Sequence, residues 1–301
     1  MRKFLNFVEI QTKLATIIPF LAALAYVFHN TGTINIFSTL IYIPAALLWD
    51  MSVTAINNHI NMAEDGTELY YERLTSLAII GVMMLISAGF GLCLAYLHGS
   101  VVLIAGAFCF LMGILYSFGP APICKSSYGE LVSGFVVGTV IMFIVVSIND
   151  PGFQPIVMTF DYQNMFMFMD IDILGLLSFG LITLPAALCI SNILLANNIC
   201  DAEADRPYRY TLVHSIGQKK ALLLFASLYA AAYLAIAAAS LLRLIPIWCL
   251  LTLITIIPVQ KNIRKFFEKQ VKSQTFILSV KNFTIIMMAY TLFIFFGGLF
   301  R

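Results

Sequence analysis

Apolar runs long enough to cross a bilayer recur along this 301-residue chain, with little sequence left between them. A helix needs roughly 20 consecutive apolar residues to traverse the hydrocarbon core. Nine such runs fall at about 12–29, 33–56, 76–97, 100–118, 131–148, 172–195, 220–242, 244–260 and 277–299. With 61% of its residues hydrophobic and 11% charged, the chain lies far from soluble domains, in which about a quarter of residues are charged. The expectation is an all-α, polytopic membrane bundle of nine transmembrane helices, with residues 1–301 as a single integral-membrane domain.

Charge and cysteine content narrow the function classes. A net charge of +2 implies no nucleic-acid partner, and nothing in the sequence implies a protein partner. Six cysteines are scattered without metal-like spacing, so they read as small apolar residues and not as disulfides. Arg2 and Lys3 precede the first apolar run, but no small-residue cleavage site follows, so that run is expected to be retained. Basic residues gather in alternate loops, whereas Asp150, Asp161, Asp170 and Asp172 lie on the other side. The positive-inside rule then puts the N-terminus in the cytoplasm and the C-terminus outside.

A polar pattern interrupts the apolar sequence twice, 140 residues apart. The first copy is Asn57-Asn58-His59-Ile60-Asn61-Met62-Ala63-Glu64-Asp65, and the second is Asn197-Asn198-Ile199-Cys200-Asp201-Ala202-Glu203-Ala204-Asp205. Side chains four apart share a helical face, so each copy presents a column of oxygen ligands. Both columns end spans on the cytoplasmic side, after spans two and six. Their common register marks two quasi-repeated sub-bundles, which often enclose a site where they meet.

Such columns suit a divalent cation held over a polyanion. Mg²⁺ takes hard oxygen ligands, commonly one or two carboxylates plus substrate phosphates. Asp201, Asp205 and Asp65 supply carboxylates, with Asn57, Asn61 and Asn197 in support. Arg206 and Arg209 are placed to clamp phosphate, and Lys125 to add a point charge. Lys219, Lys220 and the 261–272 basic cluster read as the solvated positive face. Asp50 lies seven residues before Asn57 and so on the same face. Two readings of it stay open: orienting His59 or a ligand, or resting as a neutral, hydrogen-bonded acid. His59 and His214 have no nucleophile partner or zinc spacing.

With both motifs after spans two and six, the chain resembles the UbiA superfamily of intramembrane aromatic prenyltransferases. The second motif, followed by Arg209-Tyr210-Thr211-Leu212, is close to the family pattern. The segment from Tyr116 to Glu130, with Gly119-Pro120 and Lys125-Ser-Ser-Tyr128-Gly129-Glu130, resembles the naphthoate branch, as does Glu9-Ile-Gln-Thr-Lys13. The first motif departs from the family: Asn61, and also Asn58, stand where Asp is usual. Compensation by Glu64, Asp65 or Glu68, metal binding mainly at the second motif, or altered activity all stay open.

The resemblance implies a cavity open to lipid and Mg²⁺-dependent transfer of a polyprenyl group from its diphosphate to 1,4-dihydroxy-2-naphthoate. The partners implied are the polyprenyl diphosphate, the aromatic acceptor and the lipid bilayer. Asp201, Asp205 and Asp65 would carry the chemistry, with Tyr116 as the aromatic candidate against an allylic cation and an interfacial tyrosine as its alternative. Rival readings are another acceptor such as 4-hydroxybenzoate, a transporter or lipid-binding protein, and a weakened relative that binds without turnover.

Overall fold

The computed structural model describes residues 2–64, 66–161, 164–205 and 209–300. A short α1 (Arg2–Phe7) precedes a 3-10 turn, Ile10–Lys13, that runs into α2 (Leu14–Thr31). Next come α3 (Ile36–Glu64), α4 (Arg73–His98) and α5 (Ser100–Ser117). One continuous rod then combines α6 (Gly129–Phe135), a π-helical turn at Val136–Val140 and α7 (Ile141–Asn149). Beyond a β-hairpin lie α8 (Ile173–Asp205), α9 (Leu212–Ile216) and α10 (Gln218–Leu241). A 3-10 stretch, Ile247–Thr255, continues into α11 (Ile256–Glu268), and α12 (Phe276–Leu299) follows.

Eight helical stretches among the described residues are long and apolar enough to cross a membrane: Ile10–Thr31, α3, α4, α5, Gly129–Asn149, α8, α10 and α12. The chain is a multi-pass membrane bundle. The remaining expected span, 244–260, takes another form. Pro258 has no N–H to donate to the carbonyl four residues back, and the turns before it wind as 3-10 helix. Past Pro258 the rod becomes strongly amphipathic, with Lys261, Arg264 and Lys265 on α11.

The all-α expectation needs one correction. β1 (Ile156–Asp161) and β2 (Phe166–Ile171) pair antiparallel, with Ile156 opposite Ile171. β-branched and aromatic residues such as Val157, Thr159, Phe166 and Phe168 favour strand. Every side chain of β2 is exposed, whereas Ile156 and Met158 of β1 are half-buried.

Packing is uneven across the bundle. The main core draws on α2, α7, α8, α10 and α12, and a small second one joins Phe7 and Val8 to Ala55, Ile80 and Met83. The α3, α4 and α5 windows are only 22%, 22% and 17% buried, against 39–44% for the other spans. That half leaves most of its surface for lipid or ligand. Against α8, Gly134 and Gly138 let the π-turn rod approach so closely that a Cβ at either would strike the Ala187 backbone. Small residues four apart permit this backbone-to-backbone crossing.

A buried ion pair ties the N-terminal rod to α3. Lys13, 2% exposed, donates to Asp50 Oδ1 at 2.9 Å and to Thr54 Oγ1 at 2.6 Å. Thr16 donates to the other Asp50 oxygen at 2.7 Å. Asp50 is thus engaged between helices by Lys13 and Thr16 and not by His59.

Candidate functional site at the helix ends

The polar motifs sit where their helices outgrow the membrane. At 29 and 33 residues, α3 and α8 are the longest helices among the described ones. They span about 44 and 50 Å, against a hydrocarbon core of about 30 Å. Their polar C-terminal turns take up the excess. Spans two and six run the same way, so both motifs reach the same face.

Equivalent motif positions make equivalent contacts. Asn58 Nδ2 donates to the Phe7 carbonyl at 3.0 Å, and its counterpart Asn198 donates to Glu130 Oε1 at 2.8 Å. Both amides stitch a motif helix to its neighbour. One turn on, Asn61 and Asp201 each accept from a cation. Arg209 donates to Asn61 Oδ1 at 2.9 Å, and Lys272 forms an ion pair with Asp201. The Arg209 bond joins the first motif to the segment following the second.

The loop between α5 and α6 fills the space between them. Lys125 Nζ grips both Glu64 oxygens at 2.7 and 2.6 Å, and its carbonyl accepts the Tyr210 N–H at 3.0 Å. Ser127 and Ser215 hydroxyls meet at 2.6 Å. His214 Nδ1 accepts the Thr211 N–H at 3.2 Å. Its Nε2 therefore carries the proton and donates to the Ala202 carbonyl at 2.8 Å. That histidine pins the Arg209 segment onto the end of α8, a role the sequence did not disclose. Cys124 Sγ lies 4.0 Å from Asn57 Oδ1, and burial pushes this thiol's pKa up, against the opposing pull of Arg209 and Lys125.

The structure therefore joins Asn61 to Arg209 directly and Lys125 to the adjoining Tyr210 backbone, with Asn57 at Cys124 and Tyr116 half-buried in the last turn of α5. Asn197 is half-buried one turn before Asp201. Asp65 and Arg206 lie outside the described residues, and of Asp205 only the backbone, at the last position of α8, is described. Lys272 corrects the reading of the 261–272 cluster as a merely solvated face, because it sits on a motif carboxylate. Among the described residues no three His, Cys, Asp or Glu side chains converge.

A cleft of about 620 Å³ opens beside the first motif between α3, α4 and α5. Ile56, Ile60, Leu77, Ile80 and Phe118 make it largely apolar, with His59 and Glu64 also on its lining.

No family model matches the chain. Its architecture is that of the UbiA homologues. One from Archaeoglobus fulgidus bound to DMAPP and Mg²⁺ aligns over 99% of this chain and 100% of its own, with TM-score 0.66 at 13% identity. A homologue from the same organism bound to GPP and Mg²⁺ aligns over 98% and 99%, at TM-score 0.64 and 13% identity. A digeranylgeranylglyceryl phosphate synthase structure aligns over 100% and 99%, at TM-score 0.64 and 16% identity. In sequence, the chain is similar to the 1,4-dihydroxy-2-naphthoate octaprenyltransferase of Bacillus subtilis, 31% identical over 157 residues. That match spans 52% of this chain and 40% of the relative.

Proposed function

We propose that this chain is an intramembrane prenyltransferase that moves a polyprenyl group from an allylic diphosphate to 1,4-dihydroxy-2-naphthoate, a step of menaquinone or demethylmenaquinone formation. The observation that carries this reading is the set of cationic donors, Arg209, Lys125 and Lys272, seated on oxygens of both motifs at one face. The acceptor rests on the similarity to the naphthoate octaprenyltransferase.

The second motif fits Mg²⁺. It offers hard oxygens, and Asp201 already attracts a cation in Lys272. Asp201 and Asp205 would hold the ion with diphosphate oxygens, and it would supply charge neutralisation for the leaving group. The first motif offers amide oxygens from Asn57 and Asn61, with Asp65 retained on sequence grounds. Arg209 and Lys272 exchange their present partners for phosphate oxygens, a charge-assisted bonding that strengthens as the allylic C–O bond opens. Arg206 and Lys125 extend that cationic rim, and Asn197 orients the diphosphate beside Asp201. Tyr116 faces the allylic carbon with its ring, where cation–π attraction is worth about 0.5–2 kcal/mol. The apolar cleft beside Asn57 takes the isoprenoid and keeps water from the cation.

The same reading gives nine crossings in two sub-bundles. α10 starts beside α9 at the motif face and runs 24 residues away from it, yet Lys272 is back at Asp201. Ile247–Glu268 supports a return crossing, since its 3-10 and α portions together extend about 38 Å. The basic loops then put the motif face and the N-terminus in the cytoplasm and the C-terminus outside.

An acceptor competition tests the function. Purified protein receives geranyl diphosphate, Mg²⁺ and equal amounts of 1,4-dihydroxy-2-naphthoate and 4-hydroxybenzoate. Mass spectrometry should find prenylated, decarboxylated naphthoquinol. Exclusive prenylation of the benzoate would overturn the acceptor assignment, and no prenyl transfer to either would overturn the reaction.

A further inference from the structure

Glu130 is the one buried acid among the described residues, 4% exposed at the start of α6. Its Oε1 accepts Asn198 Nδ2 at 2.8 Å. Its Oε2 is buried and has no hydrogen-bond partner. Such an acceptor is costly unless something donates to it. The side chain cannot easily swing to water, because its own backbone is held. Ser191 donates to the Glu130 carbonyl at 2.9 Å, and Gly134 and Gly138 press the rod onto α8.

The surroundings select the missing donor. Glu130 follows directly on the Lys125–Ser127 loop between the two motifs and bonds Asn198 of the second, so the carboxylate borders the site described above. A diphosphate or a carboxylate brings only acceptor oxygens, which cannot donate to Oε2. A ring hydroxyl brings the donor that Oε2 lacks.

We propose that Glu130 Oε2 binds and deprotonates the hydroxyl of an electron-rich aromatic acceptor, a naphthol or phenol, with Asn198 holding the carboxylate in place. The assignment rests on the prenyl-transfer reading and adds the acceptor side of that site. As the carboxylate-bearing ring carbon beside the hydroxyl bonds to the allylic carbon, the allylic C–O bond breaks and its electron pair leaves with diphosphate. The hydroxyl oxygen becomes a ring carbonyl, and its proton passes to Glu130 Oε2. Loss of the ring carboxylate as carbon dioxide returns an electron pair to the ring, and Glu130 gives the proton back to the oxygen.

The test compares two fluorescent probes, 1-hydroxy-2-naphthoate and 1-methoxy-2-naphthoate, on the full chain in detergent. Wild type should bind the hydroxy compound at least about tenfold more tightly. In Glu130→Gln, the Asn198 amide claims the remaining side-chain oxygen and an NH₂ takes the place of Oε2. Discrimination should then fall within about twofold, with geranyl diphosphate affinity unchanged. Turnover should drop about a hundredfold in kcat with KM for the diphosphate unaltered, and Glu130→Asp should recover part of it. Equal binding of both probes by wild type would sink the assignment without any variant. So would a Glu130→Gln enzyme within about threefold of wild type, or one losing diphosphate binding in step with turnover. Hydroxyl-dependent binding by a wild type that transfers no prenyl group would instead reject the reaction and keep Glu130 as a hydroxyl-binding site.

Discussion

Asn61 and Asp201 occupy the same motif position and differ by one charge, which makes them the sharpest residue-scale test. Each holds a cation now, Arg209 on the amide and Lys272 on the carboxylate. Asn61→Asp should lower the Mg²⁺ concentration needed for half-maximal activity, because a carboxylate adds charge where the motif now offers an amide. A large loss across the Mg²⁺ titration would show instead that the Asn61 amide has its own role toward Arg209. Lys272→Ala should raise the KM for prenyl diphosphate about tenfold, as expected for one lost charge-assisted bond. Unchanged kinetics would return Lys272 to the solvated face. Burial raises the Cys124 pKa, so little of this thiol is thiolate at neutral pH, and its alkylation rate should go on climbing with pH past the point where an ordinary thiol levels off. Peptide mapping of a maleimide time course reads this directly. The motif residues were legible because their four-residue spacing survives in the sequence. Lys272 was not, since one lysine in a basic loop looks like any other, and its carboxylate lies 71 positions away. Glu130 gave one clue, an acid at the mouth of an apolar run.

Among the elements, helix identity followed from apolar length, but the joints did not. Pro258 predicts a disturbance, yet hydropathy alone does not say that nine residues ahead of the α-helical turns will wind as 3-10. The hairpin was hidden because Phe166 to Met169 is apolar without alternation, so the stretch between the fifth and sixth spans read as a plain loop. The crossing of the π-turn rod over α8 rests on Gly134 and Gly138, visible as small residues four apart but not assignable to a partner. Gly138→Leu should destabilise by about 1–3 kcal/mol or more through overpacking against Ala187, and should disturb Glu130 at the head of the same rod. A thermal shift in detergent matching wild type would contradict the close approach. Lys13→Met strands Asp50 between helices and should cost about 3–5 kcal/mol. Met at position 13 with Asn at position 50 should restore much of that loss.

Across the whole molecule, one half is a dense core and the other, α3 to α5, is open to its surroundings. The proposed topology rests on the alternation of basic and acidic loops, a charge bias that can be read without knowing the packing. The number of crossings is harder, since a rod that is half 3-10 and half basic does not look like a transmembrane helix. With other thiols removed, Arg243→Cys should label with an impermeant maleimide from outside intact cells, and Lys265→Cys should not. Equal labelling would remove the ninth crossing and with it the placement of the C-terminus outside. The central claim is that the two motifs work as one Mg²⁺-dependent prenyl-transfer site. Its most direct measurement is turnover of farnesyl diphosphate with 1,4-dihydroxy-2-naphthoate, in Mg²⁺ or excess EDTA, for wild type and Asp201→Ala. The account predicts prenylated naphthoquinol only from wild type with Mg²⁺, and a loss of about a hundredfold or more in the folded variant. Full turnover in EDTA, or an Asp201→Ala enzyme as active as wild type, would contradict it.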